Sequence, residues 1–77
     1  MINQKEIMEA IADYLGIVAS DIDKHANLRE DLNLGPIELN DLLSDLGNRF
    51  GVGFDGEDVM ELETVEDLIA LVEDNSL

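Results

Sequence analysis

Between Gly35-Pro36 and Gly51-Val52-Gly53 the chain places Leu39, Leu42, Leu43, Leu46 and Phe50 at i, i+3, i+4, i+7 and i+11. That spacing fits an α-helix with one apolar face, and such a face has to be covered by another element. Pro36 suits the first helical position, because its fixed φ is already helical and its missing N–H would have had no partner there. Glu38 and Asp41 in the first turns complement the positive end of the helix dipole. The predicted helix spans about 36–50. Gly47 inside it costs roughly 1 kcal/mol relative to alanine, so the last turn is expected to be loose.

The covering elements are legible on either side. Asn3 followed by Glu6 imitates a capping box, and Ile7, Ile11, Tyr14, Leu15 and Val18 recur at helical spacing, giving a helix over about 3–15 that stops at Gly16. Thr64 with Asp67 three residues on caps another helix, over about 64–74, with Val65, Leu68, Ile69 and Val72 inward. A short helix over 56–62 turns Val59 and Leu62 inward, and Met8 and Met60 read as core or rim residues. From Gly16 to Gly35 no helical period persists. Twenty residues is long for a loop in a compact domain. Ile17, Ile22, Leu28, Leu32 and Leu34 are expected to anchor it, with a short turn near Ser20 to Lys24. The fold class is all-α: a small four-helix bundle with a long loop between helices 1 and 2 and a short third helix, one domain over 1–77.

Charge limits the function classes. Nineteen acidic residues against four basic ones give a formal net charge of −15. Such a field repels nucleic acid and anionic lipid and favours a protein partner with a basic surface patch. Apolar residues make up 45% of the chain, too many for a disordered acidic tail. There is no cysteine, so no disulfide or thiolate site is available. No apolar stretch approaches membrane-spanning length, and no basic segment precedes an apolar run at the N-terminus. A cytoplasmic, monomeric protein with no nucleic acid partner and no membrane insertion is the expectation.

Catalytic and metal constellations are missing. His25 is the one histidine, and even with Asp21 or Asp23 beside it no nucleophile accompanies it. A calcium loop starting at Asp21 would use Asp23 and His25, but Ala26 stands where glycine is required and Leu32 where a chelating glutamate belongs. No phosphate-binding glycine loop, Ser-His-Asp set or paired-histidine zinc motif occurs. No catalytic residue and no metal ligand is predicted, and the chain is not expected to be an enzyme.

The stretch Leu28 to Gly51, LREDLNLGPIELNDLLSDLGNRFG, resembles the signature region of acyl carrier proteins. That family's pattern has an acidic pair and Leu, then Gly-x-Asp-Ser-Leu, then an acidic amphipathic helix ending in Phe-Gly. Glu30-Asp31-Leu32, Asn33, Leu34, Gly35-Pro36-Ile37, Glu38 and Phe50-Gly51 align with it without a gap, Tyr14-Leu15-Gly16 fits the close of the first helix, and Leu62-Glu63-Thr64-Val65 fits the turn into the last.

The resemblance implies a carrier fold and a serine bearing phosphopantetheine at the head of the second helix. Pro36 stands at that position without a hydroxyl, and Gly35 stands where the family has aspartate. Neither Ser44 nor Ser20 has Asp before it and Leu after it. The expected cofactor is therefore none, phosphopantetheine included. Family members present apolar residues one, four and eight positions beyond the serine; here these are Ile37, Asn40 and Ser44. Ile37, Glu38, Asp41 and Asp45 are the candidate partner-binding residues, and the resemblance makes an acyl- or aminoacyl-processing enzyme the candidate partner. The alternative is a working acyl or aminoacyl carrier in fatty-acid, polyketide or peptide biosynthesis that uses another residue or holds its ligand noncovalently.

Overall fold

Asn3 opens the first helix, α1 (Gln4–Leu15): its backbone is extended and its side-chain oxygen accepts the Glu6 N–H at 2.8 Å. The computed structural model describes residues 2–75. Gly16 ends α1 with a left-handed φ of 73°, a conformation that costs glycine nothing. The turn breaks the helical phase. Val18, placed by its spacing on the apolar face of α1, is therefore 64% exposed, and Ile17, expected as a loop anchor, is also exposed.

The connection from Gly16 to Gly35 is held by its own hydrogen bonds and by those to the last helix. A 3-10 turn spans Ala19–Asp21. Ile22, Leu28 and Leu34 are buried, and Leu32 is half-buried. Asn27 caps the next turn, its side-chain oxygen accepting the N–H groups of Arg29 and Glu30 at 2.9 and 2.8 Å. Leu34 N–H then returns to the Leu28 carbonyl at 2.9 Å, past Asn33, whose left-handed φ of 58° asparagine tolerates better than most residues. An isolated antiparallel bridge pairs Asn27 with Thr64. Leu28 N–H donates to Glu63 O at 2.8 Å, Val65 N–H to Ala26 O at 3.1 Å, and Glu66 N–H to Lys24 O at 2.9 Å. His25 Nδ1 lies 3.4 Å from Glu66 Oε2 across the same clasp.

The second helix, α2 (Pro36–Phe50), starts on Gly35 with Pro36 in its first turn and closes at Gly51 in the left-handed region. Gly47 has a structural reason inside it. A Cβ there would come within 2.8 Å of the Val52 carbonyl oxygen, so the missing side chain lets the chain fold back against α2. A short helix, α3 (Gly56–Met60), follows without a side-chain cap and buries none of its residues. Val59 and Leu62 are half-buried against the core, and Met60, read as a core or rim residue, is 87% exposed. The last helix, α4 (Val65–Asn75), is opened by a reciprocal cap in which Thr64 Oγ1 accepts from Asp67 N–H and Asp67 Oδ2 accepts from Thr64 N–H.

Four helices and no strand among the described residues make a small all-α bundle. Its centre is Ile7 and Ile11 from α1, Leu42 and Leu46 from α2, and Val65, Leu68 and Val72 from α4, each with essentially no exposed surface. α1 packs against both α2 and α4. This core fixes the orientation of α2 and leaves its head and outer faces in solvent.

Candidate functional site

The helical repeat divides α2 into three sectors. Leu42, Leu43 and Leu46 face the core. Glu38, Asp41 and Asp45 share a second sector, at spacings of three and four. Pro36, Asn40, Ser44, Gly47 and Asn48 occupy a third, which carries no charge. Ile37 lies where the second and third sectors meet and is 81% exposed. Glu38 and Asp41 are exposed as well, and Asp45 is half-buried.

Two of the three carboxylates on the acidic sector are engaged within the chain. The Tyr14 hydroxyl donates to Asp41 Oδ2 at 2.9 Å and lies 3.2 Å from the Glu38 carbonyl. The hydrogen bond to Asp41 holds the phenol above its ordinary value, helped by partial desolvation and the neighbouring charges of Asp41, Glu38 and Asp45. Arg49 Nε sits 3.1 Å from Asp45 Oδ2, one helical turn away, and its Nη1 reaches Asp13 Oδ2 on α1 at 3.3 Å. Among the described residues Glu38 has no basic partner. The family resemblance picked out the carboxylates but gave no sign of Tyr14, Arg49 and Asp13 as their companions.

The uncharged sector borders open space. A cavity of about 600 Å³ lies between Leu28, Leu34 and Pro36 on one side and Val59, Met60 and Leu62 on the other. A second hollow of about 540 Å³ continues along α2 past Ser44 and Asn48 to Val52 and Phe54. Asn40 and Val59 line both, so the two form one trough from the head of α2 towards its end. Apolar and polar side chains share its lining, and Arg29, Glu30 and Glu63 border the end beside the head of α2.

His25 stands apart from both features. Its side chain is 79% exposed and faces Glu66. Among the described residues no cluster of histidine and carboxylate side chains could hold a metal ion. No helix of the described residues is long and apolar enough to cross a membrane.

The sequence matches the family model described as phosphopantetheine attachment site over residues 5–72. The chain belongs to the acyl carrier protein family. It is 31% identical over 68 residues to an acyl carrier protein of an Exiguobacterium species, covering 88% of this chain and 86% of that one. It is 31% identical over 68 residues to the acyl carrier protein of Thermotoga maritima, covering 88% and 84%. It is 32% identical over 68 residues to that of Rubrobacter xylanophilus, with the same two coverages. The crystal structure of an acyl carrier protein from Thermotoga maritima superposes with a TM-score of 0.71, covering 91% of this chain and 89% of that one at 22% identity, which supports the fold.

Family membership corrects one expectation. The absence of a phosphopantetheine cofactor, read from Pro36, is overturned by a match to the family that phosphopantetheine attachment defines. The chain's own residues meet that group unevenly. At the head of α2, Pro36 is the first helical residue and offers no hydroxyl oxygen for a phosphodiester. The aliphatic hydroxyls of the described residues lie elsewhere: Ser20 in the 3-10 turn, Ser44 two turns along α2, and Thr64 capping α4. Beside Pro36, a Cβ on Gly35 would come within 2.8 Å of the Glu38 carboxylate, which curls back over the helix start. Covalent attachment at the first residue of α2 does not fit the atoms present there.

Proposed function

We propose that this member of the acyl carrier protein family is a non-catalytic acidic bundle that docks through α2 on a protein with a basic surface patch. An acyl- or aminoacyl-processing enzyme is the partner its family suggests, and Pro36 stands in for the family's modified serine. The observation that carries the reading is the exposed side of α2, where Ile37 projects beside Glu38, Asp41 and Asp45 from a backbone fixed by the buried leucines. An exposed branched apolar residue beside carboxylates can add contact area to electrostatic attraction, and the net charge of −15 steers cationic surfaces towards it.

Calorimetric titration against the acyl- and aminoacyl-processing enzymes encoded beside its gene tests this, at low and moderate salt. The triple variant Glu38→Gln, Asp41→Asn, Asp45→Asn should weaken binding about three- to 150-fold, taking roughly 0.2–1 kcal/mol for each exposed ion pair. No binding at either salt concentration, or binding indifferent to the triple change, overturns the reading.

The trough beginning at Gly35 and Pro36 favours a second reading, a working carrier that shelters an acyl or aminoacyl chain. Intact mass after co-expression with a phosphopantetheinyl transferase of broad specificity separates the two. A prosthetic arm on the unaltered chain selects the carrier, and the peptide that bears it identifies the residue.

A further inference from the structure

One wall of the trough is the uncharged sector of α2, and that wall is polar. Asn40, Ser44 and Asn48 stand on it at i, i+4 and i+8, so a hydrogen-bonding side chain recurs about every 6 Å along the helix. Among the described residues none of these three side chains makes a hydrogen bond within the chain. Asn27 at the head end differs, because its side-chain oxygen already accepts the N–H groups of Arg29 and Glu30. Across from α2 the lining includes Val52, Phe54 and Val59.

We infer, resting on the second reading above, that Asn40, Ser44 and Asn48 set the specificity of the trough: it takes an uncharged chain bearing amide or hydroxyl groups in preference to a saturated hydrocarbon. A saturated chain laid along α2 strips water from two amides and a hydroxyl and offers them no partner, which is costly. A chain with its own amides or hydroxyls replaces that water, while its methylenes lie against Val52, Phe54 and Val59. A site furnished to hydrogen-bond its ligand discriminates against an analogue that lacks the group far better than an apolar site rejects an added one. An anionic chain is disfavoured, because Glu30 and Glu63 border the head end against the single Arg29 in a molecule of net charge −15.

Octanamide and nonan-2-one test the inference, since they differ only in an amide NH2 replaced by a methyl group. Each is titrated into the full isotope-labelled chain, with amide shifts reporting place and affinity. Both should shift residues 40–48 and 52–59, and octanamide should bind about two- to tenfold more tightly although it is the less apolar of the two, the range that one net hydrogen bond supports. The triple variant Asn40→Leu, Ser44→Ala, Asn48→Leu should reverse that order. If nonan-2-one binds the unaltered chain in the trough as tightly as octanamide, or the variant keeps the preference, sheltering stands and the role of the three residues is refuted. If neither compound shifts the trough, the sheltering reading itself falls. The comparison in the unaltered chain needs no variant to fold.

Discussion

Tyr14 on α1 donates its phenolic hydrogen to Asp41 on α2 across a distance of 2.9 Å, tying the end of one helix to the exposed side of the next. The bond has a pH signature. Because the folded chain holds the phenol above its ordinary value, near 10, the folded state binds that proton more tightly than the unfolded state. The stability from this linkage is complete below the unfolded value and is lost as pH rises through the folded one. Thermal melts between pH 9 and 11 should show the unaltered protein losing stability from about pH 10 upwards. Tyr14→Phe, which has no proton to lose, should flatten that limb. Parallel alkaline limbs in the two proteins would refute the linkage.

Gly47→Ala reverses an ordinary expectation. In an exposed helix the change stabilises by roughly 1 kcal/mol. Here the added Cβ meets the Val52 carbonyl oxygen at 2.8 Å, and a backbone atom is poorly placed to move aside. Overpacking of this kind costs about 1–3 kcal/mol, so the variant should unfold at a lower urea concentration than the unaltered protein. A higher midpoint would show that the return after α2 yields easily.

The reciprocal cap at the start of α4 joins Thr64 and Asp67 through two hydrogen bonds of 3.1–3.2 Å. Thr64→Ala removes the acceptor for Asp67 N–H and should cost about 0.5–2 kcal/mol in urea unfolding. Thr64→Ser, which keeps the oxygen, should recover most of that loss. Equal stability of the two variants would assign the effect to the methyl group instead.

Self-repulsion is the fourth lever. At a net charge of −15, salt shields carboxylates from one another once the Debye length falls to about 10 Å, near 0.1 M. Raising sodium chloride from very low concentration to that level should raise the melting temperature by about 5 °C, the shift that roughly 1 kcal/mol produces in a domain this small. A melting temperature indifferent to salt would mean that the charges are already balanced locally.

Much of this architecture was legible because its signals are local. The Leu42, Leu43 and Leu46 stripe, the Asn3 cap and the Thr64–Asp67 pair each lie within a few residues and fix a helix or its start. Reading failed where the backbone changed hand. Beyond Gly16 the helical phase no longer holds, so Val18 turns outwards although its spacing continues that of α1, and Ile17, expected to anchor the loop, is exposed as well. It failed again where meaning depended on distant partners. Tyr14 and Asp41 lie 27 residues apart, and nothing in either neighbourhood announces their bond. The carboxylates of α2 were found through the family resemblance, whereas the pairing of Arg49 with Asp13, 36 residues apart, was not. Gly47 looked like a weakness on propensity alone and proved to be the site of a close backbone approach.

The contrast between the two walls of the trough has a kinetic consequence. One wall is stitched through the main chain to the start of α4, whereas α3 buries no residue and lacks a side-chain cap. Fluctuations that widen the trough should therefore run through α3 by partial melting far cheaper than global unfolding, with amide protons at 56–60 exchanging long before those of Leu28 or Val65. The bundle can then breathe along one seam while α2 keeps its pose.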